Sequence, residues 1–423
     1  MTELRYIEGS LVGEKYKHGF EFNFSVAIPC VNVKSFALVI EHDGDMDRTA
    51  TVNSMLRLAD EGKSPYCVTI AVAPGHLLLP DGEKRNMRMN CYDLFDREYG
   101  DFLIYELIPY IEKTYNLKFS KSPDMHMVSG GSSGGISAFV IAWFHPDYFH
   151  RVYMSSPSFL AMGRGNEIPY LIRKYETKPL RIYEELSEHE PNDYFGWSRA
   201  VAEDAREALT FANYDFKCEY FPGEWHCSHY KNEEQAYKRN QWLWQGWDKT
   251  EVVAPDNSPR VNKVIPKDSK WVPCEEFPFL ESSASQGFPP KYETAVLSND
   301  GALWYCGNTN DDIIYSHIVN NQNSAIIHAT LHTIPRQAIK GPIDMAVDKT
   351  DRLFVLTEIG IQCVRSFGLI DVILRLPDNT TPQKIAITDA LYIQTQMGVY
   401  KRTLCEDCVI EREEKRKQIS YYD

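Results

Sequence analysis

Between residues 36 and 247 the chain alternates short apolar runs with longer amphipathic stretches. The β-branched or aromatic segments at 36–41, 67–74, 125–129, 151–156, 180–186 and 216–221 have the length and composition of buried strands. Among the stretches between them, Leu103, Leu107, Ile108 and Ile111 fall on one helical stripe, and the segment from Trp197 to Leu209 repeats apolar residues at helical spacing. Strands alternating with helices predict a mostly parallel sheet covered by helices. The residues before 36 read as antiparallel edge strands. After residue 247 the pattern changes to a stretch rich in Pro, Lys, Asp and Asn without any period, which predicts a linker. Three similar phrases follow, at 294–307, 344–364 and 384–403, each an apolar strand, an acidic turn and a second strand. Their spacing suits propeller-like blades, with an ordinary small antiparallel sheet as the plainer alternative. The expected organisation is an α/β domain over 1–248, a linker over 249–285 and a β-rich, partial propeller-like domain over 286–423.

Composition narrows the partners. A chain of 423 residues with 43% hydrophobic and 13% aromatic content can bury large cores, and its net charge of −14 argues against a nucleic-acid or anionic-membrane surface. The first residues contain no apolar stretch of signal-peptide length, so a cytoplasmic location is expected. The ten cysteines are scattered through strand-like segments, as suits buried free thiols. Cys405 and Cys408 form a single CxxC, which lacks the second pair of a zinc site.

The candidate chemistry starts at residues 125–144, where a strand, the glycine-rich turn Gly130-Gly131-Ser132-Ser133-Gly134-Gly135 and an apolar helix follow one another directly. This is the context of a nucleophile elbow, in which small residues flank a serine because the turn leaves no room for larger ones. The spacing admits Ser132 or Ser133. Phosphate cradling fits less well, because no Lys stands in the Walker position and the glycines do not spell GxGxxG. An elbow serine needs a base, and His226, in the loop after the strand at 216–221, comes in the required chain order; its hydroxyl partner should stand within hydrogen-bonding reach of it. His229 is a substrate-contact candidate in the same loop. The acid is expected in the loop after 180–186, with Glu190 preferred over Glu188 and Glu185. A second oxyanion amide is expected near Asp45, where His42-Asp43-Gly44-Asp45 turns sharply after the first central strand.

These segments resemble the esterase family that contains the enterochelin esterases, S-formylglutathione hydrolases and feruloyl esterases, over about residues 30–248. The marks are EHDGDM, the stretch from Arg85 to Tyr115, the elbow with its following helix and strand, and GEWHCSH. The resemblance implies an α/β-hydrolase fold. It places the family's G-x-S-x-G-G on Gly130, Ser132, Gly134 and Gly135, which selects Ser132 as nucleophile and the Ser133 amide as an oxyanion donor. The family's glycine before the histidine is Trp225 here, and Ser187 stands in the glycine place before Glu190. The C-terminal part resembles the last blades of a gluconolactonase-type propeller. There Glu293 and Ile343 fall where metal ligands would be expected, and Ile cannot ligate a cation.

The function these readings imply is a serine carboxylic ester hydrolase acting on a small polar, aryl or sugar-linked ester. No cofactor or metal is expected. Arg85, Arg88 and Tyr92 are candidate substrate contacts. The alternatives are a non-catalytic binding protein on a degenerate hydrolase domain and an acyltransferase using the same serine. Self-association through the C-terminal β domain is left open.

Overall fold

The computed structural model describes residues 2–44, 49–160, 165–228, 232–249, 256–278, 291–321, 323–377 and 380–405. The chain divides into two compact units, one of residues 1–172 and 178–255, the other of residues 173–177 and 256–423.

In the first unit the strands are β1 (Leu4–Val12), β2 (Phe20–Pro29), β3 (Ala37–His42), β4 (Cys67–Val72), β5 (His76–Leu78), β6 (Lys84–Asn86), β7 (His126–Gly131), β8 (Arg151–Ser155) and β9 (Arg181–His189). A two-residue ribbon, β10 (Asn192–Asp193) with β11 (Gly196–Trp197), precedes the edge strand β12 (Asp215–Trp225). The sheet runs β12-β9-β8-β7-β3-β4-β2-β5-β6, with β1 paired to β2. Its six strands β12, β9, β8, β7, β3 and β4 are mutually parallel, and β1, β2, β5 and β6 add antiparallel pairings at the other side. The expected α/β fold with a mostly parallel sheet is therefore present. The central strands are apolar on both faces: every residue of β3, β4 and β8 is buried. Helices α1 (Thr49–Asp60), α2 (Ser133–Phe144), α3 (Ser198–Phe211) and α4 (Glu233–Leu243) cover the sheet. One core cluster joins Met55 and Leu58 of α1 and Tyr237 and Leu243 of α4 to Val39, Met127, Tyr153 and Tyr183 of the strands.

The stripe through Leu103–Ile111 is helical, but not uniformly. Glu98–Phe102 and Ile108–Tyr115 are α-helical, and Leu103–Leu107 between them is a π turn. Pro109 lacks the N–H that would bond the carbonyl of Tyr105, and its ring crowds that carbonyl, so the ladder widens just before it.

Among the described residues, the second unit holds three four-stranded antiparallel sheets. With β13 (Val272–Cys274), they use β14 (Thr294–Leu297), β15 (Leu303–Gly307), β16 (Ile313–Ile318), β17 (Ile326–Thr330), β18 (Asp344–Val347), β19 (Leu353–Thr357), β20 (Gly360–Val364), β21 (Ile370–Leu374), β22 (Pro382–Ile387), β23 (Leu391–Thr395) and β24 (Gly398–Arg402). The sheets are β14-β15-β16-β17, β18-β19-β20-β21 and β13-β24-β23-β22. The part of the expected linker that is described, 256–278, packs within this unit: Val261, Val264 and Ile265 join its core, and β13 pairs with β24. The apolar side chains in that stretch carry no period because they stand on a single short 3-10 turn, the residues after it and a three-residue strand. Residues 173–177 also belong to this unit, with Tyr175 bridged to Ile373 beside β21.

Candidate functional site

Five strands of the first unit, β3, β7, β8, β9 and β12, deliver loops from their C-terminal ends, the usual site position in an open parallel sheet. Ser132 follows β7 directly and caps α2 with φ +57 and ψ −126, a conformation L residues rarely adopt. The surrounding glycines explain how the chain tolerates it. A Cβ on Gly130 would come within 2.5 Å of the Gly134 backbone, and one on Gly134 within 2.9 Å of His42. The Ser132 N–H donates to the Ser155 carbonyl at 2.8 Å, and the Ser132 carbonyl accepts from Gly135 and Ile136 at the start of α2. Ser133 is the first residue of α2, so its N–H is one of the donors that helix geometry leaves without an intrahelical partner.

His226 stands just after β12, and Glu190 just after β9. The Glu190 Oε2 is hydrogen-bonded to His226 Nδ1, while its Oε1 accepts the Ser187 N–H at 3.0 Å. The Glu190 side chain is buried and that of His226 is 27% exposed, so this pair is shielded on one side and open on the other. Burial works to raise the Glu190 carboxyl, but hydrogen bonds from His226, Ser156 and the Ser187 backbone hold it below the usual carboxylate range. For His226 burial works downward, and contacts with Cys227 and Glu190 reverse it, raising the imidazole to about 10. The other two carboxylates considered from sequence go elsewhere. Glu188 accepts the Gly223 N–H at 2.6 Å, and Glu185 points to the opposite face of the sheet, where Tyr153 and Gln235 donate to it.

The loops carrying Ser132 and His226 are brought together through the residues after β8. Ser155 takes the Ser132 N–H through its carbonyl, which also accepts from the Cys227 thiol at 3.6 Å. The Ser156 hydroxyl accepts the Cys227 N–H at 3.1 Å, and the Ser158 N–H donates to the Ser132 carbonyl at 3.2 Å. A Cβ on Gly131 would lie 3.3 Å from Cys227 Sγ, so the residue before Ser132 meets the residue after His226. The expected direct bond from Ser132 to His226 is not formed: Ser132 Oγ is instead paired with Ser158 Oγ at 2.9 Å. Sequence reasoning missed the segment from Ser155 to Ser158. Its signal was present as three serines around Pro157 directly after a strand.

Of the remaining candidates, Asp45 and His229 lie outside the described residues. The turn before Asp45 is seen as far as Gly44, where φ is +50 and a Cβ would sit 2.2 Å from Ala73 N. Arg88 forms a two-pronged ion pair with Asp43 at 2.7 and 3.0 Å. Tyr92 is fully buried, and its hydroxyl accepts the Asp43 N–H at 2.9 Å. Tyr92 thus supports the β3 loop from the interior, while Arg88 braces the same loop with its side chain 32% exposed. Arg85 is exposed on β6. Asp93 is buried close to Ser133, and its desolvation pushes its carboxyl up to about 6. Among the described residues, no group of three or more His, Cys, Asp or Glu is placed to hold a metal ion. In the second unit Glu293 accepts from Thr309, and Ile343 packs against the core.

Part of the chain resembles a known family. Residues 21–162 match the model of the family described as "Putative esterase". That span carries β2 through β8, including the Ser132 turn, and stops short of Glu190 and His226. Among curated proteins no sequence matches the chain. Solved structures that resemble it include a ferulic acid esterase, 14% identical with a TM-score of 0.44, over 58% of this chain and 99% of that one. The enterochelin esterase of Shigella flexneri is 16% identical with a TM-score of 0.45, over 58% of this chain and 60% of that one. A siderophore hydrolase of Aspergillus nidulans is 15% identical with a TM-score of 0.43, over 57% of this chain and 96% of that one.

Proposed function

We propose that the chain is a serine carboxylic ester hydrolase working through an acyl-enzyme on a small polar, aryl or sugar-linked ester. The observation that carries this reading is the strained Ser132 at a strand-to-helix turn, with the His226–Glu190 pair held on a loop that meets the neighbouring residue of that turn. In this reading Glu190 orients the imidazole, and neutral His226 takes the Ser132 proton as Oγ attacks the ester carbonyl. The Ser133 amide, at the positive end of α2, stabilises the oxyanion together with an amide near Asp45. Protonated His226 then returns the proton to the departing alcohol, and water repeats the sequence to free the acid.

The test is hydrolysis of p-nitrophenyl acetate together with labelling by a fluorophosphonate probe. Wild-type protein should be labelled on Ser132, and Ser132→Ala should lose both labelling and turnover while its melting temperature stays nearly unchanged. Persistent turnover in that variant would move the role to Ser133. An unlabelled, inactive wild type would favour a binding protein on a degenerate hydrolase domain.

A further inference from the structure

The side chain that touches the Ser132 hydroxyl is Ser158, a residue to which the Ser-His-Glu reading gives no task. Its Oγ lies 2.9 Å from Ser132 Oγ, and its own N–H donates to the Ser132 carbonyl at 3.2 Å. Two contacts to one residue fix the relative position of the hydroxyls. Ser158 is also 9% exposed and follows Pro157, whose ring restricts the backbone that leads into it. The strand end before it is pinned as well, because Ser156 N–H donates to the Glu185 carbonyl at 2.7 Å. The hydroxyl is therefore carried by buried backbone that is hydrogen-bonded on both sides of Pro157.

A pair of hydroxyls shares one donated proton. When Ser132 donates, its proton is engaged and unavailable to a base. When Ser158 donates, Ser132 keeps its proton free for His226, and Oγ is already in a hydrogen bond that strengthens as charge builds on it.

We propose that Ser158 is a further catalytic residue, whose O–H donates to Ser132 Oγ while that oxygen attacks and again while it leaves. The proposal rests on Ser132 being the nucleophile. As the Oγ–carbon bond forms, the Ser132 proton passes to His226 and the carbonyl electron pair moves onto the oxygen facing the Ser133 amide. Ser158 keeps its own proton throughout. When the acyl-enzyme breaks down, Oγ departs with the bonding pair and takes the proton back from His226, and the Ser158 bond is strongest while that charge is present.

The experiment measures labelling rates with a fluorophosphonate probe, maps the labelled peptide, and records kcat and KM against pH on the full chain. Ser158→Ala should slow labelling and lower kcat by about tenfold to a hundredfold, at or below the loss from removing one oxyanion donor. KM and the pH midpoint should stay put, because Ser158 acts on the oxygen and not on the imidazole. Ser158→Thr retains the hydroxyl and should label within about threefold of wild type. Ser158→Cys, similar in shape but a weak donor, should behave like the alanine variant and serves if the alanine variant fails to fold. Wild-type rates in the Ala variant, or in the Cys variant where Ala does not fold, would overturn the proposal while leaving Ser132 in its role. A label mapping to a residue other than Ser132, or no label on wild type, would instead overturn the nucleophile assignment and the proposal with it.

Discussion

At the residue scale, the contacts of His226 with Cys227 and Glu190 set the expected pH behaviour. A histidine acting as base must be neutral, and the raised imidazole, about 10, places the rise of kcat/KM with pH on the alkaline side. Replacing Glu190 by Gln removes the negative charge that favours the protonated form, leaving the contribution of Cys227 in place. The rising limb should then move toward the ordinary histidine value of about 6.5, with a plateau lowered by about tenfold or more. A pH profile of kcat/KM checks this, and a limb that stays in place would exclude Glu190 as the partner of the titrating group. How far such residues could be read in advance differed by position. The turn was legible because it needs small residues on both sides, but its spacing admitted Ser132 or Ser133 until the family resemblance selected Ser132, and chain order pointed to His226. Glu190 stood among several carboxylates, and only the fold shows that Glu185 turns to the opposite face while Glu188 binds Gly223. The role of Ser158 depends on a contact across 26 residues, which no local pattern encodes.

At the scale of elements, the glycines of the Ser132 turn are steric requirements. A Cβ on Gly130 would press into the Gly134 backbone at 2.5 Å, so β7 and α2 would have to separate. Gly130→Ala should cost about 1–3 kcal/mol in denaturant unfolding, the usual range for overpacking, and should slow probe labelling at least tenfold. Stability and labelling equal to wild type would show that the turn relaxes freely. β3, β4 and β8 were readable because they are buried on both faces and carry short apolar runs such as Ala37–Ile40 and Val152–Met154. Other elements were not, each for its own reason. The π turn before Pro109 keeps the apolar stripe while changing the hydrogen bonding, so periodicity alone cannot reveal it. β13 has three residues and contains Pro273, too short and too irregular to announce a strand.

At the scale of the whole molecule, the second unit is held in part by Glu176 and Arg402, paired through both guanidinium nitrogens at 2.7 and 2.8 Å. Burial works to raise the Glu176 carboxyl, and Arg402 with the Arg375 backbone outweighs it and holds the carboxyl below its ordinary value of 4.5. A depressed carboxylate stabilises above its unfolded pKa and loses that contribution as pH falls through its folded value, so this share should fade below about pH 4.5. Arg402→Met strands a buried carboxylate and should cost about 3–5 kcal/mol, whereas loss of a surface pair would cost under about 1 kcal/mol. Denaturant unfolding followed by tryptophan fluorescence distinguishes the two. The same residue shows how the chain is threaded. Residues 173–177 belong to the second unit, yet the Tyr175 hydroxyl, the Glu176 N–H and the Glu176 carboxylate find their partners at Ile359, Ile373 and Arg402. During synthesis this short stretch emerges from the ribosome well before those partners exist. It must wait in water until residues 359–402 have been made, so translation that stops before them would leave it without a place to dock.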